Sequence, residues 1–268
     1  MQEVIARWDG FLGKIKQRFE QIMEESRQGC AMLFDQTGGD PMPMTNAWTG
    51  MESRAQALEM KVSDTFNDSV EEAFDDVDAP GEVVDRERDK GLALVEWMER
   101  ERERVRIEIF AGAGKKLWEQ GLAEHGSGFN CTQCGGQLQI PHSVSAINVA
   151  CPYCSATVTF EPGTRLRMAA GFVHYLAEQD AWGEWNAWRD AQNALHDARN
   201  PTIDHFKALE HAQVTYWRKY LGAQASWLPE KQATLEADLR GKMRQWYDTV
   251  NNEKAWVQAG RPREIPFS

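Results

Sequence analysis

Four of the five cysteines fall in two pairs, Cys131/Cys134 and Cys151/Cys154, which together read C-x2-C-x16-C-x2-C. Each C-x2-C makes a tight turn that aims two thiolates at one point, and two such turns complete a tetrahedron. The pattern predicts one metal ion, zinc, held by Cys131, Cys134, Cys151 and Cys154; a redox-switching dithiol pair or an iron centre ranks below it. Four thiolates leave no coordination position for water, so the ion is expected to be structural and not catalytic. Gly135 and Gly136 follow the second cysteine, where such a turn often needs positive φ, and Pro152 fixes the first torsion of the other turn. His142 is read as a loop residue beside a ligand set that is already full. Cys30 lies in an apolar helical stripe and is read as a small buried hydrophobe.

Around the cysteines lie short alternating segments, 137–140, 147–150 and 156–160, which read as strands. A module of this size cannot build an adequate core, so the metal is expected to supply much of its folding free energy. From Phe129 to Phe160 the chain resembles the zinc-ribbon family, whose members carry two such knuckles on a three-stranded antiparallel sheet. The resemblance carries the ligand role to Cys131, Cys134, Cys151 and Cys154. Ser155 departs from the pattern, since many ribbons place glycine after the last cysteine. Many zinc ribbons bind nucleic acid, but no lysine or arginine occurs between Ser127 and Pro162, and Glu161 is the one formal charge there. A ribbon without cations cannot neutralise phosphates, so protein contact through Ile140, Val144, Ile147 and Tyr153 is the expected use of its surface.

Long amphipathic segments flank the module. Val4, Trp8, Phe11, Ile15, Phe19, Ile22, Cys30 and Leu33 mark one face of a first helix from Glu3 to Phe34, interrupted only at Ser26. A second helix is predicted to begin with Thr45 or Asn46 as N-cap and to follow Trp48, Met51, Ala55, Leu58, Val62, Phe66, Ser69, Ala73 and Val77. Thr45 to Pro80, with two basic and nine acidic residues, is the most acidic part of the chain, and its outward acids Asp64, Asp68, Glu71, Glu72, Asp75, Asp76 and Asp78 read as a solvated helix face. A third helix runs from Glu82 to Glu124; its Glu99–Arg104 charge run reads as a solvated, partly free-standing stretch supported by i,i+4 pairs such as Glu96–Arg100. Ala111-Gly112-Ala113-Gly114 permits either close helix approach or a bend. A fourth helix is predicted from Arg165 to Arg199, a fifth opened by Asn200-Pro201, and a sixth after Ser226-Trp227-Leu228-Pro229. The fold class is thus mainly α: an elongated helical bundle or coiled-coil hairpins with an inserted small β zinc ribbon. The expected divisions are a three-helix antiparallel bundle over residues 1–126, the four-cysteine ribbon over 127–162, a three-helix unit over 163–260 and an extended tail over 261–268.

Composition narrows the function. A net charge of −11 argues against wholesale binding to nucleic acid or anionic lipid. No apolar run approaches the ~20 residues that cross a bilayer, and the charged, amphipathic first residues lack the core of a signal peptide; the cytoplasm is the expected compartment. The six histidines form no H-E-x-x-H or Glu-x-x-His motif, and no G-x-S-x-G occurs, so no enzyme is expected. Of the eleven tryptophans, seven follow Gly163, which gives the second half large aromatic surfaces. The expectation is a non-enzymatic helical scaffold or adaptor that contacts a protein partner or itself through the ribbon and the aromatic-rich helices. A membrane-active, pore-forming-like bundle is the alternative, and nucleic-acid association ranks third.

Overall fold

The computed structural model describes residues 1–125, 129–139, 144–250, 256 and 258. The expected roles of Ile140 and His142 and the 261–268 tail lie outside the described residues. The chain is mainly helical with two small antiparallel strand pairs inserted. In order these are α1 (Gln2–Gln36), α2 (Pro41–Thr65), a π-helical turn (Phe66–Val70), α3 (Glu71–Asp75) and α4 (Gly81–His125). They are followed by β1 (Phe129–Asn130), β2 (Gln137–Leu138), β3 (Ile147–Ala150) and β4 (Thr157–Phe160). The chain ends in α5 (Thr164–Asp180), α6 (Trp182–Asp197), α7 (Ile203–Trp227), a 3-10 turn (Pro229–Ala233) and α8 (Leu235–Val250). Two compact units form, Met1–Ile109 and Phe110–Ser268, and the division falls within α4.

In the first unit Trp8, Ile15, Phe19, Ile22 and Cys30 of the expected α1 stripe are buried, Val4, Phe11 and Leu33 are half-buried, and at the end of the helix Phe34 takes the core position in place of Leu33. Each of the buried side chains contributes about 1.5–3 kcal/mol. Ser26 continues the buried face because its hydroxyl donates to the Ile22 carbonyl at 2.6 Å. Cys30 is buried as read, and burial pushes its thiol above its ordinary pKa. The second helix starts earlier than expected. Asp40 caps it, its carboxylate accepting from the Met42 N–H at 3.0 Å, and Pro41 takes the first position, where no N–H is needed. Thr45 instead donates back to the Pro41 carbonyl. The π turn then shifts the buried face. Phe66 is followed inward by Phe74, not by Ala73 or Val77, because a wider turn adds a residue before the face returns.

The charge run on α4 overturns the solvated reading. Arg102 donates to both carboxylate oxygens of Glu59, at 2.9 and 3.3 Å, and to Glu52 at 3.1 Å, so it ties α4 to α2. Arg27 reaches from α1 to Glu101 at 3.0 Å and Glu108 at 2.9 Å, and Arg104 closes the cluster against Glu101 and Glu108. The helix stays packed here because each buried cation finds carboxylates on its neighbours. Burial lowers the Arg102 guanidinium, and its hydrogen bonds to the Glu59 and Glu52 carboxylates, with their charge, more than restore it, leaving it raised. Near the other end, Gly91 meets Trp8: a Cβ there would lie 2.9 Å from the indole ring. The Trp8 N–H donates to the Glu87 carbonyl at 2.9 Å, and the fully buried Glu87 carboxylate pairs with Lys90 at 2.6 Å.

In the second unit, the small residues near the end of α4 serve close approach. A Cβ on Gly114 would come 2.6 Å from Phe172 and one on Gly121 2.9 Å from the Leu166 backbone, so α5 lies directly against this stretch. Leu166, Ala169, Val173 and Leu176 are buried as their spacing predicts. The expected fourth helix is two helices: it breaks at Ala181, whose φ and ψ of −99° and 14° leave the helical region. Beyond the break the inward face is Trp185, Trp188 and Leu195, while Ala187 and Ala194 are exposed. The α7 cap is also displaced from Asn200-Pro201. Thr202 is the N-cap, in a reciprocal capping box with His205, whose ring nitrogen accepts from the Thr202 N–H at 3.2 Å. Leu239, Met243, Tyr247 and Val250 of α8 complete the core.

Candidate metal centre

Two hairpins build the site. β1 pairs with β2 and β3 with β4, each antiparallel, and each pair brackets one C-x2-C turn. The two turns repeat the same backbone bonds. Cys131 N–H donates to the Gly136 carbonyl at 2.8 Å and Gly135 N–H to the Cys131 carbonyl at 2.9 Å; Cys151 N–H and Ser155 N–H do the same to Ala156 and Cys151, at 2.8 and 2.9 Å. The last residue of each turn is left-handed, Gly135 at φ +73° and Ser155 at φ +60°. The Ser155 departure seen in the sequence is therefore a serine in the conformation glycine adopts without cost. The sheet differs from the ribbon expectation: the described strands form two separate two-stranded sheets and not one three-stranded sheet. Only two or four residues pair in each hairpin, too few for a shared central strand.

The structure brings Cys131, Cys134, Cys151 and Cys154 together, their sulfurs all within 4.8 Å of one another. Across the two turns Cys131 Sγ lies 3.7 Å from Cys154 Sγ, and Cys134 Sγ 3.6 Å from Cys151 Sγ. A tetrahedral ion with metal–sulfur bonds of about 2.3 Å requires sulfur separations of about 3.8 Å. The four thiols are thus positioned to bind one metal ion, and the spacing is compatible with zinc. Cys131 and Cys151 are buried, while Cys134 and Cys154 are exposed.

The electrostatics ask for a cation. Backbone N–H groups of Cys134 and Gln133 point at the Cys131 sulfur and lower its pKa to about 7. At Cys154 the Ala156 N–H pulls downward, but the neighbouring sulfurs of Cys134, Cys151 and Cys131, together with partial desolvation, outweigh it and push the thiol up to about 12. Four sulfurs at this spacing cannot all ionise against one another; a divalent ion among them removes that conflict.

Behind the cysteines the module has a small core of Leu138 and Val158, flanked by Phe129 and Ala156. Phe129 meets Phe160 edge-on at 5.3 Å, and Thr159 donates to Asn148 at 2.9 Å across the β3–β4 hairpin. Of the expected contact residues, Val144 and Ile147 are half-buried, whereas Tyr153 is 71% exposed. Its ring lies over Gly136, where any Cβ would approach within 2.5 Å. Sequence reasoning read Gly136 only as turn flexibility; its role as the floor under Tyr153 spans the two knuckles and leaves no local pattern. No family model matches the chain, and neither the curated proteins nor the solved structures provide a match. Among the described residues, no helix is long and apolar enough to cross a membrane.

Proposed function

We propose that this chain is a non-enzymatic helical scaffold or adaptor, in which one zinc ion bound by Cys131, Cys134, Cys151 and Cys154 folds a small module that contacts another protein or a second copy of the chain, in the cytoplasm. The observation that carries the reading is the closed four-sulfur cluster with the exposed Tyr153 ring laid across its two turns. Four thiolates fill a zinc tetrahedron and hold no water, which favours a structural ion. The module has no lysine or arginine to meet phosphate. Arg27, Arg102 and Arg104 on the long helices are engaged by carboxylates, which disfavours nucleic acid there as well. An aromatic anchor in an uncharged setting is the chemistry of a protein contact.

X-ray fluorescence of the purified chain should give one equivalent of zinc. Cross-linking and light scattering should then find either self-association or a bound protein, lost on strong chelation and weakened by Tyr153→Arg while zinc content is kept. A zinc-loaded chain that stays monomeric, and whose cross-linked partners are unchanged by Tyr153→Arg, would overturn the adaptor reading. Absence of stoichiometric metal would overturn the zinc assignment.

A further inference from the structure

The four sulfurs of the metal centre differ in access. Cys131 and Cys151, the first residues of the two turns, are buried, whereas Cys134 and Cys154, the last cysteines of each, are exposed. The close sulfur contacts join one of each kind: exposed Cys154 lies 3.7 Å from buried Cys131, and exposed Cys134 lies 3.6 Å from buried Cys151. Both contacts run from the β1–β2 hairpin to the β3–β4 hairpin. The fifth cysteine, Cys30, is 1% exposed in the core of the Met1–Ile109 unit.

An exposed sulfur in contact with a buried one supplies an attacking and a resolving thiolate. A hydroperoxide is the oxidant this surface admits: it is small and uncharged, and Glu161 is the one formally charged side chain from 127 to 162. In the first step the Cys154 thiolate attacks the peroxide; an S–O bond forms, the O–O bond breaks, hydroxide leaves and Cys154 becomes a sulfenic acid. In the second the Cys131 thiolate attacks the Cys154 sulfur; an S–S bond forms, the S–O bond breaks and a second hydroxide leaves. Cys134 and Cys151 repeat both steps with a second peroxide. Each peroxide takes two electrons, one from each sulfur of a pair. Sulfurs joined in disulfides no longer hold a divalent ion, so the metal is released.

We propose that Cys134 and Cys154 are oxidation sites, through which a hydroperoxide converts the centre into two disulfides across the hairpins, Cys131–Cys154 and Cys134–Cys151, and so trades a metal joint for a covalent one. The inference rests on the metal assignment and holds whether or not the module contacts a partner. The zinc content of the full chain is measured first, and the loaded chain is then treated with hydrogen peroxide beside a chromophoric chelator. Zinc should leave in step with the loss of the four thiols, while Cys30 stays reduced. After alkylation, chymotrypsin is applied without reduction; cuts after Phe129, Leu138, Tyr153 and Phe160 place Cys131 with Cys134 on one peptide and Cys151 and Cys154 on two others. The three peptides should remain joined, and dithiothreitol with zinc should restore the loaded chain. Cys154→Ser should still form Cys134–Cys151 and leave Cys131 open to alkylation. A 130–138 peptide released with its own internal disulfide, zinc retained under peroxide, oxidation of Cys30 alongside the others, or alkylation of Cys134 in place of Cys131 in Cys154→Ser would each overturn the proposal and leave the zinc assignment standing. A chain without zinc at the outset would overturn both.

Discussion

Replacing Arg102 by methionine should destabilise the Met1–Ile109 unit by about 3 kcal/mol, far more than a surface ion pair would suggest. The side chain of Arg102 is 16% exposed and that of Glu59 10%, so both charges have given up most of their water. Their attraction in a partly shielded setting is about 4 kcal/mol for charges 4 Å apart. Removing the cation leaves Glu59 without its two hydrogen bonds, a loss that costs about 3–5 kcal/mol in a fully buried pair. Glu52 is 27% exposed and can turn to water, which places the expectation at the lower end. Glu59→Leu alone should cost about 2 kcal/mol, because Arg102 keeps Glu52. The double variant should return to within about 1 kcal/mol of the parent, since apolar pairs often replace buried ion pairs without loss. The coupling between the sites would then be at least about 4 kcal/mol. Urea unfolding of the full chain, read by hydrogen exchange in peptides of α1, α2 and α4, isolates this unit from the other. A cost below about 1 kcal/mol for Arg102→Met, with no coupling to Glu59, would show a solvated charge run and refute the network.

Three further outcomes follow from particular contacts. Ser155→Gly should stabilise the metal-loaded module by about 1 kcal/mol and Gly135→Ala should weaken it by a similar amount, because both positions have positive φ; competition with a chromophoric chelator measures both, and equal affinities would contradict the strain. Gly91→Ala should destabilise by about 1–2 kcal/mol, since the new Cβ meets a Trp8 ring fixed by its bond to Glu87, whereas Gly13→Ala, with nothing within 4 Å, should gain up to about 1 kcal/mol in helix propensity; thermal melts of the pair moving in the same direction would sink the argument. Burial raises the Glu101 carboxyl, but hydrogen bonds from Arg104 and Arg27 win and hold it below its ordinary range. Its folded pKa lies under the unfolded one, so its contribution is present above pH ~4.5 and is lost as pH falls through the folded value. Urea midpoints taken downward from pH 6 should therefore fall less steeply in Glu101→Gln than in the parent.

What could be read from the chain depended on how local the governing physics was. The apolar spacing of α1 and the paired cysteines carry their own geometry, and both appear where the sequence places them. The start of α2 was legible in principle: Asp40-Pro41 is a cap followed by a first-position proline, but the cluster of turn formers from Asp35 to Pro43 hid it. The π turn at Phe66–Val70 has no comparable signature, and it decided that Phe74 and not Ala73 faces the core. The Arg102–Glu59 pair joins residues far apart in sequence, so alternating charge on α4 looked self-sufficient until α2 supplied the acid.

The separation of the two hairpins bears directly on what the metal would do. Strand hydrogen bonds join β1 to β2 and β3 to β4, and none among the described residues joins one pair to the other. The short sulfur distances run the opposite way, Cys131 to Cys154 and Cys134 to Cys151, from one hairpin to the other. Leu138 and Val158 pack behind them, and two buried side chains of this size contribute about 3–6 kcal/mol. Structural zinc contributes about 10–16 kcal/mol in isolated fingers, so an ion held by these four sulfurs would be the larger of the two forces across the seam. Tyr153 belongs to one knuckle and rests on Gly136 of the other, so the exposed ring lies across the seam. On the proposed reading, a surface assembled across such a joint would be present with the ion bound and lost on its removal, while each hairpin kept its own backbone pairing.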